Sequence, residues 1–304
     1  MEHKLFNKDC IEFLKTLDDE SVDLVVVDPP YFEIVKNSWD NQWDSEQEYL
    51  EWCEAWTLEC VRVLKPNKPI YVWGTTKTDT FLKYKLEVLN SIKGIQYENW
   101  IIWSYDWGGR TKKKFARKHE DLLVYSKGKN MDFFADNVLV ERAVKTNMNI
   151  ERKINLLQKY VENSDTSKWS DKDQHSWEKY KYDAKSDEEL VQELEKQRGK
   201  STAFAKGKIP TDVWQKNNHT TSKEYAGWHP TQKPLELMER IIKAHTKEGD
   251  VVLDCFGGSG STMIAAARCS RSFIGSEMDS EYCDKSAERY EELVPEDKKG
   301  LILA

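Results

Sequence analysis

The chain has 304 residues, of which 39% are hydrophobic and 33% charged, and a net charge of −7. This describes a soluble globular protein with room for one large domain or two ordinary ones, and no apolar run approaches the roughly 20 residues of a membrane span. The six cysteines form no C-x-x-C pair and no Cys/His cluster of zinc spacing, which argues against a metal site and for reduced thiols.

Residues 4–6 read as a short edge strand before KDCIEFLKTL, a helix-like segment. In VDLVVVDPPYFEI, Val25, Val26 and Val27 read as a buried strand, because branched side chains suit a pleat packed on both faces. Pro29 and Pro30 end it, since neither donates to a ladder. Asp28 therefore stands at the carboxyl end of a central strand, with Tyr31 on a stiff turn. Residues 45–64 read as a helix. Ser45 caps it, Glu48 completes a capping box, and Leu50, Trp52, Trp56, Val61 and Leu64 form its apolar stripe. PIYVW (69–73), NWIIWS (99–104) and DLLVYS (121–126) read as further strands. Alternating strands and helices with short connections predict a mostly parallel sheet covered by helices.

Acids gather in WDSEQEYLEWCE (43–54), whereas RTKKKFARK (110–118) is strongly basic. A negative total therefore leaves room for a basic face. Residues 129–224 are polar and poor in strand patterns, with SDEELVQELEKQ (186–197) as a capped amphipathic helix. The α/β texture returns after residue 228: PLELMERIIKAH is a helix, DVVLD (250–254) a strand, GSGSTMIAAARC a turn and helix, and SFIGSE (272–277) a strand. The reading is an α/β catalytic domain, 1–128 and 225–304, interrupted by a polar, largely helical insertion, 129–224. An insertion of that size in a compact domain is usually functional or mobile.

DVVLDCFGGSGSTMIAAA places Gly257, Gly258 and Gly260 between a strand and a helix, where glycine lets backbone approach a ligand. No Lys-Ser/Thr follows, so it is not a P-loop, and the spacing is not G-x-G-x-x-G. Glu277 lies 23 residues after Asp254, at the end of the next strand, where an acid suits two ribose hydroxyls. The ligand implied is adenosine-like without pyrophosphate, and S-adenosylmethionine fits.

DPPY (28–31), HPTQKP (229–234) and DCFGGSGST (254–262), in this order, resemble the β-class S-adenosylmethionine-dependent DNA amino-methyltransferases. KDCIEFLKTL, VLKPNKPIYVWG, FARKHEDLLVYSKG, TDVW and GSEMDSEY extend the likeness over most of the chain outside the insertion. One departure is Cys255, where the family commonly has proline. The resemblance implies a doubly wound, mostly parallel, seven-stranded sheet, circularly permuted. Its cofactor half meets the catalytic half at the switch point between VVLD and LVVVD. Asp254, Phe256, Gly258 and Gly260 would line the methionine part of the cofactor and Glu277 would hold its ribose. Asp9, beside Cys10 in KDC, would meet the adenine. His229, Thr231 and Lys233 would lie near the methionine carboxylate.

The Asp28 carboxylate and the Pro29 carbonyl would each accept an N–H of the target amine, with Pro30 fixing the turn and Tyr31 stacking on the flipped base. Trp39 and Trp43 follow in a loop and read more readily as packing residues than as base contacts. Arg110, Lys112, Lys113, Lys114, Arg117 and Lys118 would neutralise phosphates of double-stranded DNA, and the insertion would recognise the target. DPPY favours adenine N6, with cytosine N4 as the alternative and a catalytically silent DNA-binding subunit as the competing class. The start MEHKLFNKD lacks the apolar stretch of a signal peptide, so a cytosolic protein is expected. The resemblance leaves a homodimer and an accompanying restriction endonuclease open.

Overall fold

The computed structural model describes residues 1–34, 40–106, 113, 115–140, 155–159, 165–180, 189, 192, 196, 208–216 and 224–304. The chain forms two compact units, one of Met1–Asn137 with Thr211–Ala304, the other Val138–Pro210.

The first unit is built on one sheet of nine strands: β1 (His3–Asn7), β2 (Leu24–Val27), β3 (Pro69–Gly74), β4 (Ile95–Ser104), β5 (His119–Lys127), β6 (Val213–Gln215), β7 (Val251–Asp254), β8 (Ser272–Glu277) and β9 (Leu301–Leu303). Their order is β6-β4-β5-β3-β2-β7-β8-β1-β9. β5 runs antiparallel to both its neighbours and every other pairing is parallel. The sheet exceeds the expected seven strands by two three-residue edge strands, β6 and β9, both too short to leave a periodic signal. β9 also displaces β1 from the edge, where the sequence had put it, by pairing along His3–Leu5.

The period of two shows most clearly in β2. Leu24 and Val26 join a core layer with the helices Leu235–His245 and Ser261–Arg268, while Val25 and Val27 join the opposite layer with the helix Glu46–Val63. All four β2 residues are buried. The helix Glu46–Val63 starts as its sequence predicts, with Glu48 N–H donating to Ser45 Oγ at 3.2 Å. The reciprocal bond runs one residue further out: Glu48 Oε2 accepts from Asp44 N–H at 2.8 Å. A buried acid ties two central strands together at their starts. Asp23 accepts from Val251 N–H at 3.0 Å and from Lys65 Nζ at 2.8 Å, which joins the start of β2 to that of β7.

In the second unit Leu156, Leu157, Trp169 and Trp177 are buried, and the two tryptophan rings meet at 5.7 Å. Lys159 bonds Asp173 at 2.8 Å, and its ammonium lies 5.2 Å from the Trp169 ring centre. The helix expected over 186–197 falls almost wholly outside the described residues. Residues 129–137 and 211–216, which composition had assigned to the insertion, pack with the first unit. Phe134 N–H donates to Ala244 O at 2.7 Å, and β6 pairs with β4. All six cysteines are free and buried, and no helix among the described residues is long and apolar enough to cross a membrane.

Gly275 in β8 has no room for a side chain, because a Cβ there would stand 2.3 Å from Asp254 O and 2.5 Å from Phe273 Cζ. Gly275→Ala is expected to cost about 1–3 kcal/mol by overpacking. Chemical denaturation of the two proteins measures it, and equal midpoints would contradict this packing.

Candidate active site

β2 and β7 are adjacent and parallel, but the chain leaves β2 towards β3 on one side and β7 towards β8 on the other. Beyond their carboxyl ends the connections part and leave a crevice, the general place for a ligand in an open α/β sheet. A cavity of about 540 Å³ lies there. Asp28, Pro29, Pro30 and Tyr31 line it, as do Asp9, Cys10, His229, Thr231, Lys233, Asp254, Phe256, Gly258 and Glu277. Gly260 is not in the wall. It takes the left-handed conformation (φ 73°) at the start of the helix Ser261–Arg268, and a Cβ there would press on Met263 and Ser286 at 3.1 Å. Its need for glycine is one of turn geometry and packing, not of lining.

The DPPY turn is braced from several directions. The buried Asp40 accepts Tyr31 N–H at 2.5 Å and Ile34 N–H at 2.9 Å, and Tyr49 Oη donates to Pro30 O at 3.0 Å. Trp43 packs on Tyr49 and Trp52, with ring centres 4.8 and 4.7 Å apart, so it is a packing residue; Trp39 lies outside the described residues. The carboxylate of Asp28 is itself engaged. Tyr31 Oη donates to Oδ1 at 2.6 Å, and Lys233 Nζ donates to Oδ2. Lys233 also donates to Thr231 O at 3.2 Å and stands 3.3 Å from Glu120 Oε2. Its side chain is 4% exposed. Burial alone would lower its pKa, but Asp28 and Glu120 together hold the ammonium above its usual value. Lys233 thus sits on the Asp28 carboxylate, a placement that sequence spacing did not suggest.

In the other half of the cavity, Glu277 Oε2 accepts Gly258 N–H at 2.7 Å and its Oε1 accepts Asp279 N–H at 2.9 Å. Burial raises its pKa. Asp254 accepts Phe256 N–H at 3.0 Å, and burial pushes its carboxyl up to about 8. His229 is pushed down to about 4 by burial, so the ring is neutral at pH 7. It lies against Tyr282, with ring centres 4.9 Å apart. Asp9 caps the helix Cys10–Leu14 through Oδ1, accepting from Ile11 and Glu12 N–H at 2.9 and 3.0 Å. Its Oδ2 faces Cys10 Sγ at 4.0 Å.

Several residues here had no signal in the sequence. Arg289 Nη1 donates to Ser259 O at 2.7 Å and holds the glycine turn from behind. Ser261 Oγ donates to Lys233 O at 2.9 Å, tying that turn to the lysine segment. Trp73 lines the cavity, and its Nε1 has no hydrogen-bond partner among the described residues.

Of the basic residues, Arg110, Lys112 and Lys114 lie outside the described residues, and Lys113 is exposed. Arg117 spends its guanidinium on Thr75 Oγ1 (3.0 Å) and the Thr76 carbonyl, and Lys118 donates to Asp106 O at 2.5 Å. These two brace the loop as described.

A family model described as DNA methylase matches residues 22–288. The chain belongs to the DNA methylase family. The Type II methyltransferase M1.MboII of Moraxella bovis is 30% identical over 290 residues, which cover 93% of this chain and 95% of that one. The solved PvuII DNA methyltransferase, described as cytosine-N4-specific, has a TM-score of 0.62 at 17% identity and covers 99% of this chain and 95% of its own. M1.HpyAVI in complex with S-adenosylmethionine has a TM-score of 0.55 at 21% identity, covering 95% and 98%. Both structures share the fold of this methylase.

Gly258 has φ 49°, and a Cβ on it would stand 3.0 Å from His229 Nε2, inside the cavity. Gly258→Ala is expected to bind S-adenosylmethionine at least about 10-fold more weakly, with roughly 1–3 kcal/mol of added backbone strain. Titration calorimetry measures the affinity; an unchanged Kd would mean that the turn does not face the ligand.

Proposed function

We propose that this methylase transfers a methyl group from S-adenosylmethionine to the exocyclic N6 amine of an adenine flipped out of duplex DNA. The observation that carries this reading is Asp28, fixed from both sides by Tyr31 and Lys233, in the same cavity as the glycine turn and Glu277.

The residues present fit the cofactor. The crevice offers a carboxylate for ribose hydroxyls (Glu277) and a turn kept open by the absence of a Cβ at Gly258. Asp9 and Cys10 lie at the adenine end in this reading, while Asp254, Phe256 and Gly258 face the methionine part. The neutral His229 and the engaged Lys233 leave Thr231 and backbone N–H groups of the turn for the methionine carboxylate. When bound, S-adenosylmethionine supplies an electrophilic methyl on a sulfonium.

The amine it must meet is a poor nucleophile, because its lone pair is delocalised into the base. Asp28 and the Pro29 carbonyl each accept one of its N–H bonds, which draws the nitrogen towards tetrahedral geometry and frees the lone pair. These acceptors also stabilise the positive charge that develops on nitrogen as it takes the methyl and the methyl's bond to sulfur breaks. The cationic amine then gives up one proton by way of Asp28 to solvent, and the braced turn keeps reorganisation small. Tyr31 presents its ring to the flipped base. Stacking of that kind is worth roughly 1–3 kcal/mol, against a few kcal/mol for unstacking.

Phosphate contact falls to the basic segment through Arg110, Lys112, Lys113 and Lys114, while Arg117 and Lys118, engaged by Thr75, Thr76 and Asp106, brace it. The fully exposed Phe115 within it supports contact with nucleic acid. The second compact unit is the target-recognition element. DPPY supports adenine over cytosine N4, which remains the second reading because the chemistry at the two amines is alike.

Expression in bacteria lacking DNA methylases, followed by mass spectrometry of the nucleosides, tests this function. N6-methyladenine is expected with the intact protein and none with Asp28→Ala. N4-methylcytosine would overturn the base assignment. Cofactor and DNA binding with neither mark would favour a silent subunit.

Asp254 gives a pH signature. Its carboxyl is raised to about 8, so it is protonated in the free protein at neutral pH, and a cationic ligand beside it favours the ionised form. S-adenosylmethionine binding is therefore expected to release a proton, with affinity rising as pH climbs towards 8 and levelling above it. Titration calorimetry across pH, with Asp254→Asn as the reference for the ligand's own titration, checks this. Parallel profiles for the two proteins would place Asp254 away from the cationic end.

A further inference from the structure

Lys233 is one ammonium set between two carboxylates, and only one of them is in the cavity wall. Asp28 lines the cavity and Glu120, near the start of β5, does not. Lys233 Nζ donates to Asp28 Oδ2 and Thr231 O, and it forms an ion pair with Glu120 Oε2 at 3.3 Å. Glu120 Oε2 is buried and has no hydrogen-bond partner among the described residues. A buried carboxylate oxygen held by an ion pair but by no hydrogen bond is incompletely satisfied, so its position next to an ammonium already bonded to Asp28 calls for an explanation.

We propose that Glu120 is a positioning residue that acts through Lys233, taking over the ammonium when the target amine enters and leaving Asp28 free to accept the amine's N–H. This rests on the functional reading above. The incoming amine competes for Asp28, whose Oδ1 already accepts from Tyr31 and whose Oδ2 accepts from Lys233. An ammonium displaced into a dry pocket without a partner would oppose base entry, since breaking a buried ion pair is strongly unfavourable. Glu120 supplies the second acceptor within a short swing of the side chain. The Trp73 ring, 5.3 Å from Nζ, borders the same space and gives the ammonium a favourable face. Asp121, the next acid along β5, is already occupied: it accepts from Trp100 Nε1 at 2.9 Å and Thr76 N–H at 3.1 Å. In the resting enzyme Lys233 stands where a substrate N–H will later be and holds Asp28 aimed. In the complex it moves off at little cost.

The test compares the full-length wild type with Glu120→Gln and Glu120→Asp, using S-adenosylmethionine and genomic DNA from bacteria lacking methylases. Glu120→Gln is expected to lower kcat roughly 10- to 100-fold. The KM for DNA, the Kd for S-adenosylmethionine and the melting temperature should stay close to wild type. Glu120→Asp, which keeps the charge, should recover most of kcat. An unchanged kcat in Glu120→Gln overturns the proposal. So does a loss of kcat that tracks the melting temperature or cofactor affinity, or one that Glu120→Asp fails to restore, because each makes Glu120 merely structural. A wild type that binds cofactor and methylates nothing removes the functional reading itself and this inference with it, an outcome visible in the control before any variant is read.

Discussion

Everything at this site depends on two short parallel strands that lie side by side and part. β2 and β7 are bound to each other at Leu24–Val252 and Val25–Leu253, and their starts are joined through Asp23. Their continuations run to opposite sides of the sheet. The separation is topological, so it needs no loop to hold it open, and it puts the end of a branched, wholly buried strand at the lip of a crevice. The rigidity that DPPY requires comes from β2 below it and from Asp40 and Tyr49 beside it.

Charge in the crevice is arranged by burial. One ammonium answers two carboxylates around Asp28, while across the cavity Asp254 and Glu277 are both pushed upward by loss of water. Buried acids of this kind ionise most readily beside a positive group, which favours a cationic ligand, in keeping with a glycine turn that has no P-loop lysine. His229, neutral from burial, adds shape and an aromatic face to the wall without adding charge.

Much of this was legible in the chain, for reasons of local chemistry. A run of β-branched residues broken by two prolines fixes β2, its end and Asp28. Ser45 announces its helix because an N-cap is a property of adjacent residues. Glu277 was found by its distance from Asp254, since strand, turn, helix and strand have typical lengths. What was missed depends on pairing across the chain. Lys233 bonds Asp28 over 205 residues, and no periodicity reports that. Asp40 reads as one more loop acid until its two backbone partners are seen. β6 and β9 are three residues each and exist because an edge was there to be joined. Gly260 looked like its neighbour Gly258, but only a three-dimensional view separates a glycine that opens a cavity from one that turns a chain.

The central claim is that the cofactor's sulfur and Asp28 face each other across the crevice between β2 and β7. A crystal structure with S-adenosylhomocysteine, the demethylated product, tests it most directly. The account predicts the ribose hydroxyls on Glu277, the adenine towards Asp9, and the sulfur turned to Asp28 and Pro29 with room between for an amine. A ligand seated elsewhere, or one in this crevice with its sulfur directed away from Asp28, would contradict it.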